Sequence, residues 1–197
     1  MYNFNDGKGL VPAKRHINPD KTVGGWVSDT AKVESTCFIG ENARVYGDAR
    51  VFGDARVSGN AQVFGDARVS GNALVYGNAL VSENAQVFGD AQVFGNAQVC
   101  GDAQVYGDAQ VYGNARVFGD ALLNSNNSII HGFNRYYYTA YPLSDGSIFL
   151  YFGCEGHIIE DWEHEKSARK WEPDYWELYA TLTSTLAEMA KNLIEVK

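Results

Sequence analysis

The sequence predicts a mainly β protein: a three-sided parallel β-helix of about six coils, followed by a small α+β domain made of a hairpin and two helices. Three observations carry that prediction. An aliphatic residue stands at every sixth position from Val27 to Ile129, eighteen times, with no insertion or deletion to break the count. The unit between them reads V, F/Y/S, G, D/N, A, R/Q/L, and its corner residue takes the same identity every eighteen positions at Asn42, Asn60, Asn78, Asn96 and Asn114. After Leu122 the unit dissolves into Asn124, Ser125, Asn126, Asn127 and Ser128, and an aromatic-rich stretch of different character follows.

Each position of the unit has a physical reason. Side chains alternate faces along a strand, so each valine and the alanine two residues before it point the same way. Ala31 and every sixth residue from Ala43 to Ala121 hold that second slot, with Cys37 in the same series. Small beside medium fills a narrow interior without voids. Glycine followed by Asp or Asn marks a corner, because glycine reaches left-handed backbone angles and Asp or Asn bonds its own backbone at turns. Glu83 is the one departure from glycine between Gly47 and Gly119, so a corner there is expected to be built differently or to carry strain. The eighteen-residue superperiod corresponds to three units per coil and should stack the asparagines into an amide ladder.

Residues 1–24 read as an entry segment or cap, 25–130 as the repeat domain and 131–197 as the C-terminal domain. Within the last, Tyr136 to Tyr141 and Ser147 to Gly153 read as strands joined by an Asp145-Gly146 turn. Ile158 to Trp171 and Asp174 to Ile194 read as helices, the second with Trp176, Tyr179, Leu182, Leu186, Met189 and Leu193 on one stripe.

Charge and cysteine content narrow the function classes. The chain has 16 basic and 24 acidic residues, a formal charge of -8, which argues against nucleic-acid or anionic-membrane partners. Acidic corners raise the thought of a nucleic-acid mimic, but interruption by Asn and interleaved Arg dilutes the charge. Three cysteines without paired spacing fit reduced thiols, and no apolar amino-terminal stretch or long apolar run is seen, so a cytoplasmic protein is expected.

The segment GLVPAKRHINPDKTVGGWVSDTAKVESTCFIGENARVYG, residues 9–47, and the repeats after it resemble the hexapeptide-repeat proteins found in bacteriophages and prophage-bearing bacteria. That resemblance implies a left-handed winding, a phage origin and the host cytoplasm as the place of action. The stretch around Phe152, Gly153, Cys154 and Trp162 is similar to the tail domain of some of those proteins. Many hexapeptide-repeat proteins are acyltransferases that use acyl-coenzyme A, with a histidine as general base and a loop leaving the helix. Here no loop interrupts the count and no histidine lies between His16 and His131, so neither a catalytic residue nor a cofactor is assigned.

Binding is therefore sought on the outside. Outward aromatic residues fall into stacks: Tyr76, Phe94 and Tyr112 on one side, Phe88 and Tyr106 on the next, Tyr46 and Phe64 on the third. They suit cross-coil stacking or a subunit interface. Tyr136, Tyr138, Trp162, Trp171 and Trp176 of the C-terminal domain are candidates for partner contact. Cys154 and His157 have the spacing of a metal pair, but two ligands do not make a zinc site and no metal is expected. Arg44, Arg50, Arg56 and Arg68 crowd the first coils, each with Asp48, Asp54 or Asp66 near in the repeat, so mixed-charge ladders are expected over an anion site. The expected partners are further copies of the chain, as dimer or trimer, and another protein, in a non-enzymatic role: an inhibitor of a host defence protein or a phage structural or accessory component.

Overall fold

The computed structural model describes residues 1–124 in full and, beyond them, the backbone of four strands: Ile129–Phe133, Tyr136–Pro142, Ile148–Phe152 and Glu155–Ile158. It divides into two compact units, Met1–Ser125 and Asn126–Lys197. Ile158, the expected first residue of a helix, ends a strand, and the rest of the two expected helices falls outside the described residues. Among the described residues no helix is long and apolar enough to cross a membrane.

The first unit is a parallel β-solenoid with three sheets. Sheet I contains Val23–Ser28, Arg44–Val45, Gln62–Val63, Leu80–Val81, Gln98–Val99 and Arg116–Val117. Sheet II contains Lys32–Val33, Arg50–Val51, Arg68–Val69, Gln86–Val87, Gln104–Val105 and Leu122–Leu123, and sheet III runs from Phe38–Ile39 through Arg56–Val57, Leu74–Val75 and Gln92–Val93 to Gln110–Val111. Every strand pairs with the one eighteen residues on, as in Val45 with Val63 and Val75 with Val93. Backbone bonds between coils are regular: Arg44 N–H donates to Ala61 O at 3.0 Å and Tyr46 N–H to Val63 O at 3.0 Å.

The interior is the valine-alanine pair. From Val45 to Val117 each valine is at most 1 % exposed, and each alanine from Ala43 to Ala103 is fully buried. Cys37 is buried in its alanine slot, and its Sγ donates to Gly53 O at 3.4 Å. With two inward residues per side, a small one against a branched one, the interior closes without room for a larger chain.

The solenoid amounts to five full turns and two further strands, short of the six coils that the repeat count suggests. Ile129 keeps the six-residue frame, but its strand runs antiparallel, with Ile129 opposite Ala140. Asn127 stands where the inward alanine would be, and an unpaired amide in that dry interior would be costly. In the second unit the four strands form one antiparallel sheet in sequential order, with Tyr138 opposite Phe152 and Leu150 opposite His157.

Candidate binding surface

Fixed register turns each outward position into a ladder along one sheet. The rings of Tyr76 and Phe94 stack at 4.8 Å with 1° between their planes, and Phe94 and Tyr112 at 5.3 Å, beside sheet III. Phe88 and Tyr106 stack at 5.3 Å beside sheet II, and Tyr46 and Phe64 at 4.9 Å beside sheet I. The grouping expected from the sequence is therefore the grouping found, but the structure keeps the stacks on different sides and does not merge them into one surface. Because the rings lie face to face, a partner meets mainly their edges. Tyr112, at 42 % exposed, is the most open ring of its stack, while Tyr76 and Phe94 are half-buried.

At the neighbouring corner the amides form the expected ladder: Asn60 Nδ2 donates to Asn78 Oδ1 (3.0 Å), Asn78 to Asn96 (3.1 Å) and Asn96 to Asn114 (3.1 Å). Each amide both donates and accepts, which a carboxylate cannot do. Where the other corners mix Asn with Asp, the amide donates to the acid, as Asn72 to Asp90 and Asn84 to Asp102, both at 2.9 Å.

The N-terminal segment covers the edges of two sheets at one end of the solenoid through contacts that carry no repeat signature. Ala13–Ile17 adds antiparallel to sheet I. His16 Nε2 reaches Cys37 O at 3.0 Å, and Asn18 Oδ1 accepts from Ile39 N–H at 2.8 Å, so two side chains satisfy the edge of sheet III. Tyr2 stacks on Trp26 at 4.5 Å and Phe4 on Tyr46 at 4.8 Å, which lengthens the sheet I aromatic ladder. The alternation of Tyr2 and Phe4 is the one sequence signal that could have revealed this. Gly24 and Gly25 allow the close approach, since a Cβ on either would run into the carbonyl oxygens of Ile39 and Ala43.

The mixed-charge ladders are not found. Among the described residues the ion pair is Arg15 with Glu41 at 4.0 Å, and none joins Arg44, Arg50, Arg56 or Arg68 to Asp48, Asp54 or Asp66. The reason is position: the arginines project from the strands while the aspartates sit at corners. Arg44 and Arg56 instead lie over the rings of Tyr2 (5.9 Å) and Phe38 (4.7 Å). Arg50 stands in register between Lys32 and Arg68 on sheet II.

Burial raises the pKa of the Cys37 thiol and, with help from the Glu83 charge, that of Cys100, so both stay protonated and poorly nucleophilic near neutrality. Burial also raises the phenol of Tyr46, with Asp6 adding to it. Among the described residues no group of three or more His, Cys, Asp or Glu could hold a metal ion. Tyr136 and Tyr138 are opposite Phe133 and His131 in the second unit's sheet, and His157 lies in its last strand. Cys154, Trp162, Trp171 and Trp176 lie outside the described residues.

Comparison with known proteins agrees with the architecture. The family model of the YdcK β-solenoid repeat matches residues 43–59, 49–63, 61–77, 67–83 and 109–123. No curated protein and no solved structure matches the chain. Parallel coils and a matching repeat together make this a repeat β-solenoid protein.

Proposed function

We propose that the chain is a non-enzymatic binding protein: a rigid solenoid, wound left-handed like the hexapeptide-repeat proteins it resembles, that self-associates and presents its C-terminal domain to a protein partner. One observation carries the reading. Ladder register holds from Trp26 opposite Arg44 to Leu123 opposite Val105 without a slip, leaving the coils no loop on which to hold a general base beside a substrate. The outward aromatic stacks supply apolar area suited to a dimer or trimer contact. Resemblance of residues 9–47 to phage proteins supports a phage setting, with capture of a host defence protein or a place in the particle as its use.

Light scattering on the full chain tests the first part: a Tyr76→Ser, Phe94→Ser, Tyr112→Ser variant is expected to fall to monomer, and an unchanged mass removes that stack as the interface. Affinity capture from host lysate tests the second, where loss of a partner with Trp162→Ala and Trp171→Ala is the expected result. Transfer from acetyl-coenzyme A that vanishes in His131→Ala would instead establish the acyltransferase reading.

A further inference from the structure

The N-terminal segment covers the edges of two of the three sheets and leaves the third. Lys32–Val33 is the terminal strand of sheet II and, among the described residues, pairs only with Arg50–Val51. Lys32 and Glu34 send their N–H groups to Ala49 O (2.9 Å) and Val51 O (3.0 Å). Alternation along the strand therefore turns the N–H and C=O of Val33 to the opposite side, where no described strand pairs with it. An open edge of this kind is a template for another strand.

A groove of about 560 Å³ runs along this edge, lined among others by Lys14, Lys32, Val33, Glu34 and Arg50. Lys32, Arg50 and Arg68 stand on successive rungs of sheet II in register. Successive rungs lie only ~4.8 Å apart, a spacing at which like charges repel. Among the described residues no ion pair relieves Lys14, Lys32, Arg50 or Arg68. Glu34, the one acid among the described residues that line the groove, is engaged, its carboxylate accepting from Gly53 N–H at 2.9 Å. Half-buried Val33 adds an apolar floor to the groove.

We propose that this edge is a docking site for an extended acidic segment of a partner protein, which adds to sheet II beside Val33 and sets its carboxylates against Lys14, Lys32 and Arg50. The site stands independently of the proposed role for the C-terminal domain. A nucleic acid would satisfy the cations, but it would leave the Val33 edge unused and would meet the chain's overall charge of -8 along its whole length.

The test uses the full chain and a fluorescein-labelled peptide of alternating Glu and Val or Thr, followed by anisotropy. Saturable binding is expected, weakened at least about tenfold by Lys32→Glu with Arg50→Glu, since both pairings reverse sign. Val33→Pro separates strand addition from simple charge attraction. It removes an N–H that the coil does not use, places its ring where the added strand would lie, and asks of Lys32 only the extended backbone it already has. Binding should fall at least about tenfold in this variant as well, in a free protein that still unfolds cooperatively although loss of the inward valine lowers its melting temperature. Should the variant fold poorly, hydrogen exchange on the unaltered chain gives the same information: the Val33 amide is expected to slow when peptide is added. No saturable binding overturns the proposal, as does binding that survives Val33→Pro in a folded protein, an unprotected Val33 amide in the complex, or preference for single-stranded DNA over the peptide.

Discussion

Glu83 occupies a left-handed backbone position, φ 59°, in a corner series whose other members Gly47, Gly65, Gly101 and Gly119 are glycines at 68°, 70°, 72° and 67°. Its carboxylate accepts from Gly101 N–H at 2.7 Å, a bond that no glycine could provide. Glu34 does the same for Gly53 near the start of the solenoid, so a glutamate carboxylate is a repeated way of satisfying a corner amide. Strain and bond can be separated by two replacements that both remove the carboxylate. Glu83→Gly should exceed Glu83→Ala in unfolding free energy by about 1–2 kcal/mol, the usual left-handed penalty of a Cβ. Equal denaturation midpoints would show that the corner relaxes. The rung before is less forgiving, since a Cβ on Gly65 would lie 2.9 Å from Glu83 N. Gly65→Ala should therefore lower stability by more than that penalty alone, read from the same denaturation curve.

The short strands make sense only as parts of ladders, for two paired residues hold little by themselves and each strand depends on its neighbours eighteen residues away. The end strands are then the weak elements, and the side chains that close them should matter more than their number suggests. Asn18 is 3 % exposed and bonds both Ile39 N–H and Thr22 Oγ1. Replacing it with Ala leaves the Ile39 amide buried and unpaired, at about 1–3 kcal/mol. A lower melting temperature and faster exchange at Ile39 are expected, and an unchanged Ile39 amide would remove Asn18 from the cap. Nothing in the sequence announced this bond. Valine, alanine, aromatic and amide ladders were legible because one fixed count assigns every position to a face, which groups Tyr76, Phe94 and Tyr112 by spacing alone. Residues 1–24 have no such count, and His16 to Cys37 or Asn18 to Ile39 are single contacts between distant positions. The arginines misled for a related reason: nearness within the unit placed Asp48 beside Arg50, whereas the fold sends one to a corner and the other to a strand. The early end of the coils was legible in principle, at Asn127, but periodicity counts matches and passes over one unsuitable inward residue.

At the scale of the molecule, the first unit has no centre: each coil touches the next, and the core is a column of constant width from Val45 to Val117. Local damage should therefore spread along the axis and not collapse the whole, with unfolding expected to begin at an end and to fray in hydrogen exchange toward it. A melt in which amides of the first, middle and last coils exchange with equal free energies would speak against this. The lockstep pairing of each residue with the one eighteen ahead has a second consequence, for how such a chain can change length. Excising residues 61–78 joins Asn60 to Ala79 just as Asn78 was joined to it, and every ladder closes again one rung shorter. Excising only 61–66 also keeps valine over valine inside, but rotates all later residues by one side, so that Tyr76 moves from over Ser58 to over Phe52 and the outer pattern is scrambled. The larger deletion should thus be the milder one for any property that depends on the surface, while both keep a buried column, as melting and partner-binding measurements on the two would reveal. A chain of this kind is a ruler graduated in steps of ~4.8 Å, one that recombination between its own near-identical segments can lengthen or trim without redesign.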